Sequence, residues 1–196
     1  MIKKNSKVFL LLALIFLSLF SLMFRNQDKK INRVEMVGVY WGAFDPPTVA
    51  HHAVISTAQK ELPLKKLIVV VNNHPYKNYT YSLNIRLELL KEMVQLNEIA
   101  NVELWWQDEQ KKIDYAAIRE ITQDPICAIA GYDAYQTWMG HSTAEERALY
   151  DAIAVIPRGD DLPLLYDSNA FLLPIQEEYR YVSSTQVKKL QSKNLD

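Results

Sequence analysis

Beyond residue 33 the chain alternates between short apolar runs and longer stretches in which apolar residues recur every three or four positions. Met36 to Tyr40, Leu67 to Val71, Val102 to Trp106, Ile126 to Ala130 and Ala152 to Ile156 are almost unbroken apolar runs. That is the pattern of strands covered on both faces. Helical spacing falls between them at Val49 to Glu61, Leu83 to Asn97, Tyr115 to Ile121 and Thr143 to Tyr150, and a last helix spans Ser184 to Ser192. The alternation predicts an α/β fold, a doubly wound parallel sheet with right-handed crossovers, whose ligands sit at the carboxyl ends of the strands.

The N-terminus follows a different pattern. Val8 to Phe24 is 17 residues without a charge, flanked by Lys3, Lys4 and Lys7 before and Arg25, Lys29, Lys30 and Arg33 after. At about 1.5 Å per residue it reaches about 26 Å, close to the ~30 Å of a hydrocarbon core. We expect residues 1–33 to be a membrane anchor and basic linker, and residues 34–196 to be one folded domain. A cleavable secretory signal is the competing reading, but no small-x-small pair closes the run. The expected localisation is a single-pass, membrane-anchored protein with residues 34–196 on the cytoplasmic side.

Charge narrows the partners. The whole chain carries −1, but residues 1–35 hold seven Lys and Arg against two Asp and Glu, leaving −6 on the remainder. An acidic folded part argues against a nucleic-acid surface. A hydrophobic fraction of 49% supports a real core, and the single Cys127 excludes an intrachain disulfide.

The candidate chemistry begins in Gly42-Ala43-Phe44-Asp45-Pro46-Pro47-Thr48-Val49-Ala50-His51, just after the first apolar run. The two prolines hold off helix until Thr48, so unpaired N–H groups and the positive end of a helix dipole face the strand ends, where a polyphosphate could sit. Thr48 and His51, three apart, share one side of the first turn. By residue type alone, Thr48 also reads as an N-cap and His51 as an ordinary core or surface histidine. Lys77 follows the second strand, and Gly131-Tyr132-Asp133 the fourth. Val182-Ser183-Ser184-Thr185-Gln186-Val187-Lys188 opens the last helix with hydroxyls and free N–H groups, another phosphate-binding pattern. No Gly-x-Gly-x-x-Gly or Walker A loop is present.

Taken together these segments resemble the nucleotidylyltransferase superfamily. Gly42, Phe44, Asp45 and Pro46 fit its first loop, Thr48 and His51 its (His/Thr)-x-x-His signature, and Ser183, Ser184 and Thr185 its closing motif. Asn72-Asn73-His74-Pro75-Tyr76-Lys77 and Arg86 are similar to its substrate-phosphate segment, and Gly131 and Asp133 to its Gly-x-Asp. Ala50 stands where glycine is usual, Trp41 and Ala43 replace small or hydroxyl residues, and Lys188 replaces arginine, keeping the charge without the bidentate fork. The resemblance implies a Rossmann-like fold of nucleotidylyltransferase type and adenylyl transfer from ATP to a phosphomonoester, with release of pyrophosphate and with Mg²⁺ carried mainly by phosphate oxygens and water. It implies catalytic roles for His51, Thr48 and Lys77, and a nucleotide site of Gly42, Ala43, Phe44, His51, Gly131, Asp133, Ser183, Ser184, Thr185 and Lys188. Lys77, Arg86 and Trp138 would meet the acceptor.

Among acceptor types, Arg86-Leu87-Glu88-Leu89-Leu90, Trp138 and Ile156-Pro157-Arg158 look most like the nicotinate-mononucleotide branch, in NAD biosynthesis. Lys112 to Ala117 matches that branch poorly. Pantetheine-phosphate adenylyltransferase, in coenzyme A biosynthesis, is the alternative, because Lys77 through Arg86 fits it. A membrane-tethered nucleotide-binding protein with weak or no turnover is a further one.

Overall fold

The computed structural model describes residues 34–160 and 163–193. Six strands form one parallel sheet: β1 (Met36–Gly42), β2 (Leu64–Asn72), β3 (Val102–Gln107), β4 (Ile126–Gly131), β5 (Ala152–Ile156) and β6 (Ala170–Leu172). Their order is β3-β2-β1-β4-β5-β6. The chain winds outward from β1 through β2 to β3, then returns to β1's other side with β4. The sheet therefore switches direction between β1 and β4, where a crevice opens at the strand ends.

Both faces of the strands are covered, and neighbouring residues go to opposite cores. Leu67, Val69, Val71, Cys127, Ile129, Ala154 and Ile156 pack on one side with Val54, Ile55 and Ala58 of α1 (Val49–Glu61) and Leu90 of α2 (Leu83–Leu96). Ile68, Val70, Ile126, Ala128, Ile153 and Val155 pack on the other. There they meet Ile118 of α3 (Tyr115–Ile121) and Tyr132 and Tyr135 of α4 (Tyr132–His141). This period-2 division between two buried faces is why the strands read as unbroken apolar runs.

Three short elements complete the description: α5 (Ala144–Arg147), α6 (Glu177–Arg180) and α7 (Ser184–Lys193), of which α7 closes the site. The predicted helix from Thr143 to Tyr150 shortens to α5. Arg147 there turns inward to a buried pair with Asp167, at 2.9 Å. Helix α4 is not among the elements expected from the sequence, although its aromatic residues 132, 135 and 138 carry a helical period.

The expected anchor helix and membrane localisation are corrected here. No helix among the described residues is long and apolar enough to cross a membrane. Residues 8–24, on which the single-pass expectation rested, lie outside the described residues.

Candidate active site

The loop leaving β1 is shaped by one aromatic ring. Phe44 adopts φ 48°, a left-handed conformation that costs a non-glycine residue about 1 kcal/mol. The cost is offset by burial of its ring, which meets Tyr40 edge-on at 5.4 Å and the His51 imidazole at 4.9 Å. Gly42 is a glycine for the same reason: a Cβ there would stand 2.8 Å from the Phe44 ring.

Helix α1 starts where the prolines release the chain, with Thr48 as N-cap and His51 as its third residue. The Thr48 N–H donates to His51 Nδ1 at 2.9 Å, and Thr48 Oγ1 lies 2.9 Å from the same nitrogen. A nitrogen that accepts an N–H carries no proton of its own, so the neutral ring's proton is on Nε2. Burial, reinforced by the charge of Arg158, pulls the His51 pKa down to about 3. His51 is thus a neutral imidazole, pinned through Nδ1, with Nε2–H left to donate.

His51 lines a cavity of about 390 Å³ together with Ala43, Lys77, Asp133 and the Ser183, Ser184, Thr185 and Lys188 segment. Eight of the residues expected at the site therefore surround one space, and Gly42, Phe44, Thr48 and Gly131 shape its walls from behind. Gly131 has a clear reason: a Cβ on it would come within 2.8 Å of Asp133 Oδ1 and 3.1 Å of Arg158 Nε. Ser183 caps α7 reciprocally with Gln186, and Ser184 Oγ donates to the Pro46 carbonyl at 2.7 Å, tying α7 to the β1 loop.

Asp45 joins the remaining pieces. Its carboxylate, 3% exposed, accepts from the Thr80 and Tyr81 N–H groups at 2.9 Å each and from Lys188 Nζ at 3.0 Å. Burial alone would raise its pKa, but the two N–H groups and then Lys188 hold it below the ordinary value. Two cavity cations escaped the sequence reading as site residues, Arg158 and Arg180. The Nε atoms of both are buried and without a hydrogen-bond partner. The cavity thus collects Lys77, Arg158, Arg180 and Lys188 against Asp45 and Asp133, an excess of positive charge on an acidic domain. Unpaired guanidinium donors in such a space are what an anion with several oxygens would satisfy.

Among the described residues no three His, Cys, Asp or Glu side chains gather closely enough to hold a metal ion. Asp45 is committed to its three donors, which leaves Asp133, 77% exposed and 3.9 Å from Arg158, as the cavity carboxylate able to reach a ligand-borne cation.

Two expected acceptor residues lie elsewhere. Arg86 does not line the cavity: it is fully buried beneath it. Its guanidinium donates to the carbonyls of Tyr81 (3.1 Å), Ala43 (2.7 Å) and Asn72 (2.8 Å) and to Asn73 Oδ1 (2.6 Å), and lies 3.9 Å from the Tyr79 ring centre. It clamps the β1 loop to the end of β2. Trp138 faces a second cavity of about 540 Å³ at the same sheet edge, walled by Trp41, Tyr150 and Ile113 and floored by Ala128, Ile129 and Ala130. Tyr150 stands edge-on to both Trp138 (5.3 Å) and Trp41 (6.1 Å). Trp41, a departure from the usual loop, is thereby a wall of this cavity, held by its Nε1–H on the Ile113 carbonyl at 3.0 Å. Ala50, another of the departures, is wholly buried in α1.

A switch-point crevice with a cationic cavity on a helix N-terminus defines a nucleotide-handling α/β enzyme. Residues 39–190 match the sequence model of the cytidylyltransferase-like family, and the chain belongs to that family. It is a nucleotidyltransferase. Its curated relatives are named as adenylyltransferases. A phosphopantetheine adenylyltransferase of Fusobacterium nucleatum is 29% identical over 79% of this chain and 82% of its own length. A probable nicotinate-nucleotide adenylyltransferase of Buchnera aphidicola is 24% identical over 63% of this chain and 62% of its own. Among solved structures, the nicotinic acid mononucleotide adenylyltransferase of Plasmodium falciparum complexed with NaAD aligns with a TM-score of 0.61 at 16% identity, covering 79% of this chain and 83% of that one. That likeness bears on the fold. The alternative of a membrane-tethered binding protein without turnover finds no support in these relatives.

Proposed function

We propose that this chain transfers the adenylyl group of ATP to a pyridine mononucleotide, nicotinate or nicotinamide mononucleotide, and releases pyrophosphate, a step of NAD biosynthesis. The observation that carries the reading is the pairing of two cavities at one sheet edge, a cationic one at the start of α1 and an aromatic-walled one beside it. Triphosphate suits the first, and a flat heteroaromatic ring suits the space between Trp41, Trp138 and Tyr150.

In this mechanism the acceptor's phosphate oxygen attacks the α-phosphorus, the bond to the bridging oxygen breaks, and pyrophosphate leaves. A phosphomonoester is already anionic at neutral pH, so no general base is required, and the residues here supply position and charge. His51 donates Nε2–H to a non-bridging α-phosphate oxygen, and as a neutral imidazole it acts as a hydrogen-bond donor and not as an acid. Thr48 holds that ring. Lys188, Arg158, Arg180, Ser183, Ser184, Thr185 and the first N–H groups of α7 hold the departing oxygens. Gly42, Ala43 and Phe44 bring backbone close to the nucleotide, and Gly131 leaves room for Asp133 beside it. Lys77 steadies the acceptor phosphate, and Arg86 contributes by holding the loops that carry Ala43 and Asn73. Magnesium bound to the triphosphate would neutralise charge on the β- and γ-phosphates, with Asp133 the carboxylate in reach.

A second reading, phosphopantetheine as acceptor, is favoured by the Fusobacterium relative's 29% identity. Incubation with Mg-ATP and each acceptor separately, scored by pyrophosphate release and by mass of the dinucleotide or dephospho-coenzyme product, tests both. The proposal expects release with a pyridine mononucleotide; release with phosphopantetheine alone would replace it.

A further inference from the structure

Within that reading, the charges around the aromatic cavity discriminate between the two pyridine acceptors. The cavity is lined by Asp108, Glu109 and Asp114 against one ammonium, Lys112. Lys112 is itself paired with Asp114, at 3.3 Å. The polyphosphate end of the crevice is therefore cationic and the far end anionic. A carboxylate entering the far end would seek N–H donors, and the nearest helix start is α3. One of its donors is already taken: Asp114 caps the helix and accepts from the Ala117 N–H at 3.1 Å. Gln107 is committed as well, its amide donating to Asn72 Oδ1 at 2.8 Å and its carbonyl accepting from Ile113 N–H at 3.1 Å. Trp41 spends its indole N–H on the Ile113 carbonyl.

What the cavity offers in greater measure is three aromatic walls and surplus negative charge, the combination that holds a cation against ring faces. Both candidate acceptors have an N-alkylated pyridinium ring. In nicotinamide mononucleotide the substituent is a neutral carboxamide and the ring is a net cation; in nicotinate mononucleotide a carboxylate cancels that charge and adds an anion to an anionic wall. We propose that the acceptor pocket selects the amide form, with Asp114 and Glu109 as residues that set this specificity.

The inference rests on the pyridine-nucleotide reading, so the test separates the two. Full-length protein with Mg-ATP is assayed with nicotinamide mononucleotide and with nicotinate mononucleotide, and the affinity of each is measured without ATP by calorimetry. The amide form should be preferred by roughly fivefold or more in kcat/KM and in binding, the scale of a like-charge contact in a partly solvated pocket. Glu109→Gln, which leaves the α3 cap intact, should move that ratio toward the acid form severalfold without changing the KM for ATP. Asp114→Asn should move it further, since the amide can still cap α3. Equal or better use of nicotinate mononucleotide, or a ratio unmoved in both variants, would overturn the specificity assignment while leaving adenylyl transfer intact. Binding and turnover confined to phosphopantetheine would remove the pyridine reading and this inference together.

Discussion

The neutral state of His51 makes the fold sensitive to acid in a defined window. The ordinary histidine pKa is 6.5, and burial together with Arg158 pulls that of His51 to about 3. The unfolded chain therefore takes up this proton as pH falls through 6.5, whereas the folded chain refuses it until about pH 3. Stability from this site is complete above pH 6.5 and is lost as pH drops toward 3, at about 1.4 kcal/mol per unit, roughly 4–5 kcal/mol in all. Between pH 6.5 and 4.5 the loss is about 3 kcal/mol, before the depressed carboxylates such as Asp45 begin to protonate. Urea unfolding of the protein and of His51→Gln across that range isolates the contribution, because every other group is common to both. The variant's curve should be flatter by about 1.4 kcal/mol per unit. Parallel curves would refute the buried neutral imidazole, and with it the assignment of the proton to Nε2.

Further outcomes follow from the geometry. Arg86→Lys can serve at most part of the four-acceptor clamp and leaves buried carbonyls unpaired, so it should lower urea stability by roughly 3 kcal/mol; a loss under 1 kcal/mol would contradict the clamp. Gly131→Ala pushes only the ends of Asp133 and Arg158, so Tm should change little while the KM for ATP rises about tenfold, about 1.4 kcal/mol. Arg180→Ala should raise the KM for ATP by a similar factor with a smaller change in kcat, since it removes one charge-assisted contact to the polyphosphate. Unchanged KM in either of these two variants would detach the residue from the nucleotide.

Strands β1, β2, β4 and β5 were legible because their centres are buried on both faces, which leaves an apolar run with no alternation to misread; β3, only half-buried, still shows such a run, and the three-residue, half-exposed β6 was not expected. Helices α1, α2 and α3 were legible from their spacing, and α1's start from Pro46 and Pro47. Helix α4 was not, since its apolar positions are mainly tyrosine and tryptophan behind a Gly-x-Asp that also spells a turn. At the site, the residues brought together around the cationic cavity are those whose motifs sit at the ends of β1, β2 and β4 or at the start of α7. Arg86 was expected at the acceptor because the resemblance places an arginine there. Its four acceptors are backbone and amide oxygens from segments far apart in sequence, which no local pattern reveals. Arg158 and Arg180 were missed as ligands for a related reason: only the folded crevice sets them beside His51. Their one local signal was their position, directly after β5 and directly before the hydroxyl-rich start of α7.

The central claim is that His51, neutral and pinned through Nδ1, stabilises charge on the α-phosphate as the adenylyl group moves. The kinetics of His51→Ala test it most directly, with kcat from pyrophosphate release and ATP affinity from calorimetry. Loss of one such donor should lower kcat by on the order of a hundredfold while ATP affinity stays within about threefold. A variant that loses kcat and affinity in equal proportion, or that keeps its kcat, would contradict the claim.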